Sequence, residues 1–210
     1  MLLLGHTGIT LGIAVLFTGA FTRRHSFFAE ETQRLGHSSE IHSSKNSSTD
    51  NKTRWLSSLM SHMDIRVLLI GSLLPDIIDK PIGLFFFGDT FSSGRIIGHT
   101  LLFFILTLLP GLYLYHNRRK IYLLSLSFGT FTHLVFDQMW HDPRALFWPI
   151  YGAAFIKIDL ATWMPNILHA LMTDPEVYVP EVLGAVVLVW FTLVLVRKRK
   201  VLHLLKHGQM

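Results

Sequence analysis

The sequence predicts an all-α fold, a polytopic transmembrane bundle of about five membrane segments. It forms a single membrane domain over residues 1–210. Two observations carry that expectation. Half of the residues are apolar and only 16% are charged, where a soluble domain carries about a quarter. Four long apolar stretches also recur along the chain, with basic residues at their ends. The sequence pI is near 9.6 and the mean hydropathy +0.40. Because the cations sit at the ends of apolar runs, they are topology signals, and no nucleic-acid partner is expected. The lipid bilayer is the expected partner. Cysteine is absent, which excludes disulfides and thiolate metal sites.

The first segment is Leu2–Phe21. A signal peptide carries its basic residues before the apolar run. Here Arg23 and Arg24 follow it, so a retained helix is expected. The polar loop over 22–54 comes next. Its His25–Arg54 stretch is Ser-rich and almost free of aromatics, too poor in apolar surface to fold alone. A flexible cytoplasmic loop is expected, and its two Asn-X-Ser/Thr matches, at Asn46 and Asn51, are read as unused. Trp55–Pro75 is a weaker segment whose strongest part, Val67–Leu74, is short. Gly98–Tyr115 is the third, with Pro110 expected to kink it, and Ile121–Met139 is the fourth. Residues 140–180, from Asp142 to Pro180 above all, read as a semi-apolar interfacial or re-entrant loop. Val182–Val196 closes the set, with Pro180-Glu181 opening its helix. The Phe-rich run Leu84–Phe87 reads as lipid-contacting. No internal repeat is visible.

Lys/Arg counting orients these segments. Fourteen basic residues fall after segment one, between segments three and four, and after the last. Four, Lys80, Arg95, Arg144 and Lys157, fall on the other face. Five alternating crossings satisfy this split only if Trp55–Pro75 crosses. The protein is then expected in the cell membrane with its N-terminus outside and its C-terminus cytoplasmic.

Ionisable residues near membrane segments are costly and therefore informative. The orientation above gives several of them one address. His6 lies at the outer end of segment one, Asp76 and Asp79 just beyond segment two, Arg95 and His99 at the entry of segment three, and His133 and Asp137 at the exit of segment four. His141 and Asp142 follow at once. His133 and Asp137 stand at i and i+4, which puts both on one helix face. Imidazole with carboxylate suits zinc, iron or manganese, and buried charges are tolerated when they coordinate metal. Each group also has a plainer role: a polar contact between helices for His133 and Asp137, a helix-end turn for Asp76 and Asp79, a snorkelling cation for Arg95, and a turn before Pro143 for His141 and Asp142. His25, His37, His42, His62, His116, His203 and His207 are read as solvated.

The order His6, Gly71-Ser-Leu-Leu-Pro-Asp76-Ile-Ile-Asp79, Arg95-Ile-Ile-Gly-His99-Thr100, His133-Leu-Val-Phe-Asp137, then Phe147-Trp148-Pro149 resembles the membrane-bound metal-dependent hydrolase family. Its members are also described as LexA-binding, inner-membrane-associated hydrolases. The resemblance covers about residues 1–152. Gly98 and Thr100 depart from the usual Thr and Ser around the third motif. Ile78 adds one residue between the aspartates, which separates Asp79 from the family pattern. The Ser-rich loop looks like an insertion. A more distant likeness is to zinc-dependent phospholipase C, which orders its ligands as His, Pro-Asp, His and H-x-x-x-D with a further His. His141 is the nearby candidate for the last, at a short spacing.

The resemblance implies a hydrolase with one or more divalent metals, zinc foremost and manganese or iron as alternatives. His6, Asp76, His99, His133 and Asp137 would hold the metal, with Asp79 and His141 as further candidates. Asp79 or Asp142 would serve as general base, and Arg95 would meet a phosphate or developing oxyanion. The headgroup depth of the site points to a lipid or other phosphoester substrate. A metal-binding scaffold, regulator or transporter is the non-enzymatic alternative. A transporter would place its ionisable groups near the bilayer midplane.

Overall fold

The computed structural model describes residues 2–16, 63–88, 90–152 and 155–208, and the described secondary structure is helical. The polar loop over 22–54, His25, His37, His42, His62, Asn46 and Asn51 lie outside the described residues. Helix α1 spans Leu3–Leu16. Helix α2, Ile65–Lys80, opens on Asp64, whose carboxylate accepts the Arg66 and Val67 amides, and it runs directly into a π-helical turn over Pro81–Phe86. Helix α3, Leu101–Arg118, is capped by the Thr100 hydroxyl, which accepts from the Phe103 amide. Helix α4 is Tyr122–Phe136. A single 3₁₀ turn, Met139–His141, leads to the short α5, Pro143–Leu146. Helices α6, Leu160–Thr173, and α7, Pro175–Arg197, begin on Asp159 and Asp174. Helix α8, Val201–His207, ends the described chain.

Three expectations change. The stretch expected as an interfacial loop over 140–180 contains α5, all of α6 and the first turns of α7. Asp-X and Asp-Pro caps at Asp159 and Asp174 start those helices, a signal that the apolar run length hides. The last helix therefore opens at Pro175, and Pro180 lies inside it. Among the described residues, α7 alone is both long and apolar enough for a full crossing. Helices α1 and α4 are apolar but shorter; at 1.5 Å per residue, 15 residues reach about 22 Å, short of a hydrocarbon core of about 30 Å.

Polar side chains share the interior with apolar clusters, and large apolar side chains face outward. Thr10, Ser72, Ser125, Ser127, Thr130 and Thr132 are buried, while Leu106, Leu109, Val186, Val189 and Trp190 are more than half exposed. Phe85 and Phe86 are 72% and 77% exposed. Soluble monomers rarely expose apolar patches on this scale. Lipid accepts them, and the small polar residues let helix backbones approach. Glycines set the closest approaches. A Cβ on Gly71 of α2 would sit 2.3 Å from the Leu126 carbonyl of α4, and one on Gly129 of α4 would sit 2.3 Å from the Leu68 carbonyl. Pro75 has no N–H for the Gly71 carbonyl four residues back; the Thr130 hydroxyl donates to that carbonyl at 3.4 Å. A Cβ on Gly8 of α1 would meet the Gly184 carbonyl of α7 at 2.1 Å. Helix α1 is thereby held against α7, and α2 against α4.

Candidate metal centre

Four elements deliver polar side chains to one end of this bundle. His6 comes from the first turns of α1, Asp76 and Asp79 from the last turns of α2, His99 from the residues before α3, and His133 and Asp137 from the end of α4. His6, His99, His133 and Asp79 have essentially no exposed surface.

The hydrogen bonds fix which ring nitrogens hold protons. His133 Nδ1 lies 2.6 Å from the Ser72 carbonyl, which can only accept. Nδ1 therefore carries the hydrogen, and Nε2 of the neutral ring presents a lone pair. His99 Nδ1 donates to Asp79 Oδ2 at 2.8 Å, so its Nε2 is likewise a lone pair. The two Nε2 atoms face each other at 3.1 Å. Two lone pairs at that distance repel unless a cation, a proton or a metal, lies between them.

Carboxylates surround this pair. Asp76 Oδ1 is 3.6 Å from His99 Nε2 and 4.0 Å from His133 Nε2. Asp137 Oδ2 is 3.6 Å from His99 Nε2, and its Oδ1 is 3.1 Å from His6 Nε2. The His6 ring stacks on His133 with centroids 4.0 Å apart. His6 Nε2 faces Asp137 alone, and the Nδ1 of this buried side chain has no hydrogen-bond partner. An under-partnered buried imidazole is costly, and a metal resolves it. Bonds of 2.0–2.1 Å around a tetrahedral ion put donors roughly 3.3–3.4 Å apart, within the range of separations seen here. The donors form two overlapping groups, His6–His133–Asp137 and Asp76–His99–His133. An imidazole whose far N–H is held by a carboxylate or a carbonyl is the usual arrangement of a metal-bound histidine.

The other expected residues have different places. Asp79 stands behind His99. Its two oxygens accept the amides of Ile96, Ile97, Gly98 and His99 at 2.7–3.2 Å, besides the His99 ring. A carboxylate has about four lone-pair sites, so Asp79 is saturated and holds the loop and the His99 tautomer rather than standing free as ligand or base. Arg95 donates to Asp137 Oδ2 at 3.0 Å. Asp142 accepts from the Ala145 amide to cap α5 and also lines the cavity next to Asp76 and Asp137. His141 is exposed and takes the Trp140 indole N–H at 3.2 Å, outside either donor group.

Residues 1–202 match the family described as YdjM inner membrane protein. The chain belongs to the YdjM family. Membrane localisation follows from that membership, and the apolar exterior agrees with it. No curated protein and no solved structure matches the chain.

Sequence reasoning missed three residues of this YdjM-family site. Lys80 donates to Asp76 Oδ2 at 2.7 Å, and its i+4 spacing was a readable signal. Glu181 of α7, buried, accepts the Leu2 and Leu4 amides at 2.6 and 3.0 Å and so caps the helix that carries His6. An acidic residue at the head of an apolar stretch was its signal. The Ser72 carbonyl has no sequence signal, because any residue supplies one.

Proposed function

We propose that this YdjM-family chain is a membrane-embedded hydrolase that uses a divalent metal, zinc foremost with manganese or iron as alternatives, and acts on a phosphoester at the membrane surface. In this reading the chain crosses five times, with the N-terminus and the site outside and the C-terminus cytoplasmic. The observation that carries it is the pair of facing His99 and His133 Nε2 atoms ringed by Asp76, Asp137 and the buried His6.

His6, Asp76, His99, His133 and Asp137 hold the metal. A bound divalent ion lowers the pKa of water to about 7 and supplies a nucleophile at neutral pH. The chain's own residues do the rest. Asp142, lining the cavity beside Asp76 and Asp137, takes the proton as general base. Arg95 and Lys80 turn one donor each to a site carboxylate and lie at the same cavity, where they meet negative charge on the ester. Asp79 keeps His99 in the tautomer that offers Nε2.

A second reading has a specific basis. A proton shared between His99 and His133 also satisfies the 3.1 Å contact, and the cluster would then be a metal-free polar scaffold. Metal analysis of purified protein separates the two. Wild type is expected to carry at least one divalent ion per chain, and the His133→Ala/Asp137→Ala double variant to carry little. Equal, negligible metal in both would end the hydrolase reading. Hydrolysis of bis(p-nitrophenyl) phosphate that stops with a chelator and returns with zinc would separate an enzyme from a metal-holding scaffold.

A further inference from the structure

A cavity of about 290 Å³ opens beside the donors, and its walls differ in chemistry. Asp76, Asp137, Asp142, Lys80 and Arg95 form its charged part. These three carboxylates and two cations leave it one charge negative, and one divalent ion turns it positive. An ammonium has three donors and a guanidinium five, so a single ion pair exhausts neither Lys80 nor Arg95. The lining also has an apolar part that is contiguous in sequence: Ile156, Ile158, Trp163 and Ile167. It is fixed in place, because the Ile158 amide donates to the Ser92 carbonyl, Phe155 packs edge-on against Phe91 at 5.8 Å, and Asp159 caps α6.

Helix α6 joins this wall to the exterior. Trp163 and Ile167, at i and i+4, line the cavity. Met164, Leu168 and Met172 repeat at the same interval one residue on, about 100° round the helix, and are more than half exposed. One face of α6 therefore faces the site, and the next is exposed. A soluble ester has no use for this apolar path.

We propose that the substrate is a membrane amphiphile with a phosphate headgroup, whose phosphate meets Lys80 and Arg95 and whose chain lies against Trp163 and Ile167 as it leaves along α6 for the bilayer. The charge preference rests on the metal reading above; the chain path does not.

The test uses full-length protein in lipid nanodiscs, with metal content measured in the same samples. The probes are dodecyl phosphate and dodecyl trimethylammonium, each with a diazirine in the tail. With zinc present, the phosphate probe is expected to label peptides from residues 155–173 about tenfold more than the ammonium probe, the ratio that one charge-assisted hydrogen bond gives. Ile167→Gln should abolish that labelling while metal content stays at the wild-type level. Chelation should remove the preference. Labelling that ignores headgroup charge in metal-loaded protein, or that spreads over the exposed faces of α3 and α7, would overturn the amphiphile site and leave the metal reading standing. Equimolar inorganic phosphate that blocks the label completely would also overturn it, since the chain would then contribute nothing. Labelling of residues 155–173 without headgroup preference in protein that never holds metal would keep the chain path and remove the hydrolase.

Discussion

Two aspartates in a five-residue motif have opposite tasks. Asp76 turns Oδ1 to the histidines, whereas Asp79 spends both oxygens on a loop. Asp79→Asn tests that difference. An amide oxygen accepts from at most two of the five donors, and the new NH₂ would face other N–H groups. The expected outcome is a loss of about 2–3 kcal/mol, the scale of buried hydrogen bonds to a charged group. Zinc affinity is expected to fall roughly 10–100-fold through the misoriented His99, as read by competition with a chromophoric chelator. An Asp79→Asn protein with wild-type affinity would make Asp79 purely structural. Which residue types converge was legible from costly ionisable groups at segment ends. The division of labour was not, because a carboxylate's partners here are backbone amides from Ile96 to His99, and any side chain leaves those amides in place.

Helices α1 and α7 meet at Gly8 and Gly184, with backbone on both sides of the contact. Gly8→Ala would bring a methyl to 2.1 Å from the Gly184 carbonyl, an overpacking expected to cost about 1–3 kcal/mol. Gly12→Ala meets only Val187 side-chain atoms at 3.4 Å. It should be neutral or gain up to about 1 kcal/mol from helix propensity. Thermal unfolding in one detergent compares the two, and equal melting points would dismiss the close crossing. Glu181→Ala strands the Leu2 and Leu4 amides and loosens the helix that carries His6. Its metal affinity is expected to fall, with Glu181→Gln partly restoring it, because one amide oxygen still accepts. Long apolar stretches made most of these helices visible in the sequence. Helix α6 stayed hidden, since its Pro165 and polar neighbours interrupt the apolar run that a spanning segment needs, and the Asp159 cap that starts it is a local signal.

At the scale of the whole molecule, large apolar side chains face outward while hydroxyls and imidazoles share the interior with apolar clusters. That arrangement follows from composition and needs no aqueous cavity on the outside of the helices. Orientation is the prediction that belongs here. The cysteine-free sequence makes single-cysteine labelling clean. Ile150→Cys, at an exposed position on the site side, should react with an impermeant maleimide on intact spheroplasts. Lys200→Cys, beyond α7, should react only after permeabilisation. The reverse pattern would invert the proposed topology. The number of crossings was the least legible property, because an apolar run in the sequence does not give helix length, and several helices here are shorter than the run that contains them.

No one element carries a full set of donors: α4 brings two, and α1, α2 and the residues before α3 bring one each. A chain with one segment inserted backwards would retain every ligand residue and yet have nowhere to bind an ion. Under the proposed metal reading, ion uptake would therefore be a census of correctly threaded molecules.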